Sequence, residues 1–289
     1  MLVRWPPRAY NGFGSYGRRM PPLPVYVVDA FTESAFSGNP AAVVLLDGPR
    51  EAAWLQSVAA ELNLSETAFL EPLPEPSENP AQIGLRWFTP TVEVDLCGHA
   101  TLASGHILYQ LGFTASIEFS SRSGLLGVAQ GGDGTIVLDF PSRPPRTAPD
   151  IEGLGQALGV EPTWVGRGGD NDVFVEVRDE STLRSLAPDI GGLSTVDARG
   201  IIVTALADEA CPYDVVTRFF APRAGINEDP VTGSAHTAVA PYWAQRLERT
   251  ELLAYQASAR GGLLALQVVG DRVLLGGHAV TVMEGTLLA

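Results

Sequence analysis

The chain has 289 residues, 45% hydrophobic and 18% charged, with a formal net charge of −14; that suits one large globular domain or two modest ones and disfavours nucleic acid and anionic membranes as partners. All 19 basic residues are arginine, which excludes a Schiff-base lysine, a pyridoxal-phosphate anchor and the phosphate lysine of a P-loop. Two cysteines, Cys97 and Cys211, are too few for a disulfide framework, and no apolar run reaches the ~18 residues of a membrane span, so a cytoplasmic protein is expected.

Residues 1–19 carry Arg4, Arg8, Arg18 and Arg19, no acid, and many Gly, Pro and Tyr. They lack the apolar core of a secretion signal and read as a disordered extension or a misplaced start, with Met20 as a candidate true start. Short β-branched or aromatic runs bounded by turn residues then read as strands: 25–31, 41–46, 67–71, 83–88, 116–121, 125–129 and 135–140 in the first half. Between them, Ala52, Leu55, Val58, Ala59 and Leu62 share one helical face, with Asn63 as a stop. A second helix is expected to start at Gly98 and end at Gly112.

The proline-rich "FPSRPPRTAP" at 140–149 reads as a linker. "GRGGDND" at 166–172 lacks G-x-G-x-x-G order and reads as a turn. Strands are expected at 172–177, 201–206, 215–220, 252–257, 263–269 and 272–277. A helix is expected from Gly233, kinked by Pro241.

The second half repeats the first. Arg86-Trp-Phe-Thr-Pro90 aligns with Arg218-Phe-Phe-Ala-Pro222, an offset of 132, and Gly98-His-Ala aligns with Gly233-Ser-Ala, an offset of 135. "RSGLL" at 122 and "RGGLL" at 260 follow in the same order. Two lobes of similar build are expected, over 20–140 and 141–276, with the ligand in the cleft between them. Two helix starts with glycine present backbone N–H groups to an anion, which would hold a carboxylate without any cationic side chain. The inserted "NED" brings Asp229 into the second copy and makes the copies chemically unequal.

Taken one by one, the polar residues read blandly. Asp229 before Pro230 suits a turn or helix cap, His99 a satisfied histidine, and Glu66 in "NLSETAFL" a solvated glutamate. No His-x-x-x-His or Cys-x-x-Cys spacing exists, so no metal is expected. Cys97 could serve as nucleophile or base, but its counterpart in the repeat is Thr232, so a symmetrical two-thiol mechanism is absent.

Taken together, "VDAFTESAFSGNPAAVVLL", "LSETAFL", "RWFTPTVEVDLCGHATLASGH" and "RFFAPRAGINEDPVTGSAHTAVAPYW" resemble the PhzF-like isomerases of phenazine biosynthesis, from about Val25 to the C-terminus. The resemblance implies a diaminopimelate epimerase-like α+β fold: two pseudo-symmetric lobes, each a barrel-like mixed sheet around a central helix. It implies that the last strand, within 277–289, returns to the first lobe. It assigns Glu66, His99 and Asp229 to catalysis, and Gly98, Gly233 and Ser234 to substrate binding, with no cofactor and no metal. The expected activity moves a proton between carbons of a small carboxylate, in a homodimer. An amino-acid epimerase or racemase, using Glu66 with Cys97 or water, and a non-catalytic carboxylate-binding protein are the alternatives.

Overall fold

The strands form where apolar residues alternate. In "IVLDFP", Ile136, Leu138 and Phe140 point inward and their neighbours outward, the period of a half-buried strand. A computed structural model describes residues 21–72, 81–149, 151–168 and 171–288; the extension expected at 1–19 lies outside the described residues. Among these, the residues up to Phe36, Pro40–Leu138 and those from His278 onward make one unit, and Ser37–Asn39 with Asp139–Gly277 make another.

The first unit contains β1 (Leu23–Ala30), β2 (Asn39–Leu45), α1 (Ala52–Leu62), β3 (Glu66–Pro72), β4 (Ala81–Phe88), β5 (Glu93–Val94), α2 (Gly98–Gln110), β6 (Ile117–Ser121), β7 (Gly124–Gln130) and β8 (Ile136–Pro141). The second contains β9 (Arg146–Thr147), α3 (Leu154–Leu158), β10 (Trp164–Gly168), β11 (Asp172–Glu176), α4 (Glu180–Ser185), α5 (Ile190–Thr195), β12 (Ile201–Leu206), β13 (Val215–Phe220), α6 (Gly233–Leu247), β14 (Glu251–Gln256), β15 (Gly262–Val269) and β16 (Arg272–Gly277). The final strand, β17 (Ala279–Leu287), belongs to the first unit and pairs antiparallel with β1 from Leu23↔Leu287 to Ala30↔Ala279.

The duplication is visible in the pairing. In the first unit β2 is parallel to β3, β3 antiparallel to β4, β4 parallel to β6, and β6, β7 and β8 follow antiparallel. In the second, β11 is parallel to β12, β12 antiparallel to β13, β13 parallel to β14, and β14, β15 and β16 follow antiparallel. One ion pair is duplicated with it. Arg86 clasps Glu93 in a two-point grip of 2.7 and 2.9 Å, and Arg218 clasps Glu228 with the same two distances. Each guanidinium also lies over a phenylalanine of its own strand, Phe88 or Phe220. This match corrects the expected site of the insertion. Glu228 answers to Glu93, so the extra residues precede it, near the short 3-10 turn Pro222–Ala224. Asp229 then stands opposite Val94, as a substitution.

Each unit wraps its sheet on one helix. In α2 every residue except His106 and Gln110 is buried, so the helix is apolar nearly all round, as a central helix must be. Small residues let the sheet close on it. A Cβ on Gly105 would lie 2.8 Å from Val128 Cγ1 on β7, which explains a glycine there. Helix α6 fills the same role, burying Gly233, Ala235–Ala240, Tyr242 and Trp243. It runs through Pro241 without ending. The proline has no N–H for the carbonyl of Thr237, and that carbonyl accepts from the N–H of Arg143 at 3.0 Å instead.

Asn63 ends α1 in the left-handed conformation, as its position suggested. The stretch read as a turn at 166–172 is partly strand: Gly166–Gly168 finish β10 and Asp172 opens β11. Helices α3, α4 and α5 were not anticipated. They have five or six residues each, too short to show a period, and with β11 and β12 they close a core around Leu154, Leu183, Leu193 and Val203. Among the described residues no helix is long and apolar enough to cross a membrane.

Candidate active site

The six expected site residues fall into two clusters, one in each unit. In the first, Glu66 is the opening residue of β3, Gly98 the opening residue of α2, and His99 the next. Glu66 is only 9% exposed, so the reading of a solvated glutamate does not hold. Its Oε2 lies 3.2 Å from His99 Nε2, without the alignment of a regular hydrogen bond. Cys97 completes the group: its Sγ is 3.5 Å from Nδ1 and 3.9 Å from Nε2 of the same ring.

The electrostatics follow from burial and these contacts. Burial pushes the Cys97 thiol up, and the charge of Glu66 pushes it the same way. Burial alone would keep His99 neutral, but the acidic groups of Cys97 and Glu66 beside it outweigh that, and its pKa stands well above the ordinary histidine value.

In the second cluster Asp229 is buried and held at several points. Its Oδ1 accepts from the Asn39 amide at 2.9 Å, its Oδ2 from the Thr232 hydroxyl at 2.5 Å, and its backbone carbonyl from Gln256 Nε2 at 2.7 Å. The Asn39 amide also donates to the carbonyl of Val231 at 2.8 Å. Thr232 occupies the N-cap of α6, yet its hydroxyl is turned to Asp229 and caps nothing. The N-cap of α2, Cys97, makes no side-chain cap either. Neither N-cap side chain therefore caps its helix, an arrangement that leaves first-turn N–H groups open to an anion.

Ser234, the second residue of α6, does not stand apart from cationic side chains. Arg199 Nη2 lies 3.3 Å from its Oγ. The guanidinium is itself clasped by the buried Asp172, at 2.9 and 2.5 Å. The expectation of an anion site free of cationic side chains is therefore corrected at this end. Arg199, Asn39, Cys97 and Gln256 are the site neighbours that single-residue reasoning passed over or left undecided. A signal for Arg199 existed: "DARGIIV" leads into β12 as "NLSETAF" leads into β3, and extending the repeat backwards from Arg86 finds it.

Register locates the counterpart of Glu66 in the second copy. Thr67 pairs with Phe88 and Ile201 with Phe220, and the two phenylalanines are equivalent in the repeat. The residue before Thr67 is Glu66 and the residue before Ile201 is Gly200. A Cβ on Gly200 would lie 2.2 Å from Phe219 Cζ, so a side chain there requires the Phe219 ring to move.

Comparison with known proteins decides the family. Residues 28–285 match the family model described as phenazine biosynthesis-like protein. The chain belongs to this PhzF-like family. An uncharacterized isomerase of Halalkalibacterium halodurans is 48% identical, over 92% of this chain and 98% of that protein. An uncharacterized isomerase of Pseudomonas aeruginosa is 46% identical over the same shares. The crystal structure of a PhzF-family phenazine biosynthesis protein from Enterococcus faecalis superposes with a TM-score of 0.85 at 41% identity, covering 93% of this chain and all of that one. The α+β fold of diaminopimelate epimerase type is thereby established.

Proposed function

We propose that the protein is a cofactor-independent isomerase that moves a proton between carbons of a small carboxylate, with Glu66 as base and then acid. The observation that carries this reading is the placement of Glu66: a buried carboxylate at a strand start, 3.2 Å from His99 Nε2. The names of the relatives, isomerases, support the reaction class. A carboxylate that takes a proton from one carbon and returns it to another on the same face needs only one well-placed residue. His99 holds a proton against it and steadies developing negative charge. Gly98 at the uncapped start of α2, and Gly233 and Ser234 at that of α6, are assigned to substrate binding, and Asp229, fixed by Asn39 and Thr232, to the substrate's polar groups. We assign the protein to the cytoplasm and to a homodimer as part of the same reading.

The test is solvent deuterium incorporation. Wild type and Glu66→Gln are incubated in D₂O with small amino and hydroxy carboxylates, including 2,3-dihydro-3-hydroxyanthranilate, and followed by mass spectrometry and NMR. Label or rearrangement that requires Glu66 supports the isomerase; equal behaviour of the two proteins overturns it. A second reading, amino-acid epimerisation, is favoured by the Cys97 thiol beside His99. Loss of optical rotation from an L-substrate without a shift in bond position would select it.

A further inference from the structure

Glu66, Cys97 and His99 offer one donor of each kind, carboxylate oxygen, thiol sulfur and imidazole nitrogen, with the three atoms all within 4.8 Å of one another. All three residues are at least nine-tenths buried. The spacing suits a cation. Zinc bonds of ~2.0–2.3 Å at the tetrahedral angle place neighbouring ligand atoms roughly 3.3–3.7 Å apart. Here His99 Nε2 is 3.2 Å from Glu66 Oε2 and 3.9 Å from Cys97 Sγ. The sulfur lies nearer Nδ1, at 3.5 Å, so rotation of the Cys97 and Glu66 side chains is needed to bring the three donors round one ion. Mixed sulfur, nitrogen and oxygen donors select a borderline-soft ion such as Zn²⁺ over Mg²⁺ or Ca²⁺, which prefer all-oxygen shells.

A second observation points the same way. Glu66 Oε2 is buried and, despite its nearness to the imidazole, lacks an aligned hydrogen bond. An ion would offer that oxygen a directed bond in place of the poorly aligned imidazole contact at 3.2 Å. Chain spacing argued against a metal because the usual His-x-x-x-His and Cys-x-x-Cys signatures are absent. The fold reaches a donor set by another route, joining a Cys-x-His segment at a helix start to a carboxylate at a strand start. The duplicate acts as an internal control, with Thr232, Ser234 and Gly200 at the three equivalent positions and therefore no donor set.

We infer that this cluster binds one thiophilic divalent cation, Zn²⁺ or Co²⁺, in competition with the proton-transfer role proposed for Glu66. Coordination joins the metal to the Cys97 sulfur and to His99 Nε2, with loss of the thiol proton and of the imidazolium proton to solvent, and to Glu66 as carboxylate. No oxidation state changes. The inhibitory part rests on the function proposed above; the binding part does not.

The test uses tag-free full-length protein. Co²⁺ titration should develop a thiolate-to-cobalt charge-transfer band in the near ultraviolet that saturates at one equivalent. Calorimetry should give one Zn²⁺ per chain. Cys97→Ser should abolish the band, and Cys97→Ser, His99→Gln and Glu66→Gln should each weaken Zn²⁺ at least about 10-fold. Cys211→Ser, which alters the only other cysteine, should keep the band. Far-ultraviolet circular dichroism checks that each variant is folded, and Cys97→Ala serves if Cys97→Ser is not. Saturating Zn²⁺ should stop deuterium exchange and EDTA should restore it. No band, or Zn²⁺ affinity unchanged in Cys97→Ser and Cys97→Ala, overturns the site. One-equivalent binding together with full activity of Glu66→Gln keeps the metal site and removes the acid/base reading; the converse pattern separates them the other way.

Discussion

The starts of α2 and α6 occupy matching places in the two units and carry different groups. At α2 the polar groups are few, close and mobile in charge: a carboxylate, an imidazole and a thiol in mutual contact. At α6 the polar groups form a tied network in which Asp229, Thr232, Asn39 and Gln256 satisfy one another. Equivalent positions show the divergence. Thr101 Oγ1 donates to the carbonyl of Cys97 at 2.6 Å, and His236 Nδ1 donates to the carbonyl of Thr232 at 2.8 Å. One helix has placed its histidine beside a carboxylate, and the other has sunk its histidine into the core. The first start thus holds a close set of titratable groups, and the second a hydrogen-bonded network.

The sharpest way to break this comparison is at the glutamate. Glu66→Gln should lower deuterium exchange by roughly 10²–10⁴-fold, the scale of a lost general base, while Asn39→Ala, which only loosens Asp229, should cost much less. Equal losses would make the two clusters chemically alike.

Next come the two buried histidines, which should titrate in opposite directions. Burial lowers His236 to about 4. Between that value and the ordinary ~6.5 the unfolded chain binds the proton and the folded chain does not, so stability falls as pH drops through this window. The loss is about 3 kcal/mol by pH 4. Urea denaturation at several pH values should show this slope, and His236→Gln should flatten it. His99 is raised, so its stabilising contact is complete below ~6.5 and is lost as pH rises through its folded-state pKa. Imidazole NMR titration of both rings would reverse the picture if His236 carried the charge at neutral pH.

A smaller effect tests why the second copy lacks an acid. Gly200→Ala should destabilise by about 2 kcal/mol, the scale of overpacking, and Phe219→Leu in the same chain should recover part of it. If Gly200→Ala is neutral by urea denaturation, packing is not what keeps the position empty. The least difference is expected at the duplicated ion pairs. Arg86→Gln and Arg218→Gln should each cost about 1 kcal/mol, since both pairs are partly shielded and neither is fully buried.

The strands and central helices were legible because they are long enough to show a period, and the repeat because its residues keep their order. What stayed hidden depended on contacts across the fold. Glu66 looks exposed in "NLSETAFL" since polar neighbours surround it in sequence; pairing with β2 and the contact with His99 of α2 are seen only in the fold. Asp229 was credited to the insertion because sequence aligns ends more readily than middles, and the Arg218–Glu228 pair was needed to place the gap. Helices α3 to α5 have too few residues for periodicity and owe their form to the core they cover. Gly200 carries no signal of its own until Phe219 is seen beside it.

The pairing of β1 with β17 joins residues more than 250 positions apart, Leu23 with Leu287. A ribosome therefore releases every other strand of the first unit long before its last partner exists. The edge of β1 toward β17 waits, with its backbone groups unpaired, while the rest of the chain is made. The second unit, nearly all of it one continuous stretch, has its strands in hand earlier. Birth order in this protein thus runs against sequence order: the half written last can finish first, and the half that carries Glu66 is completed only by the final strand.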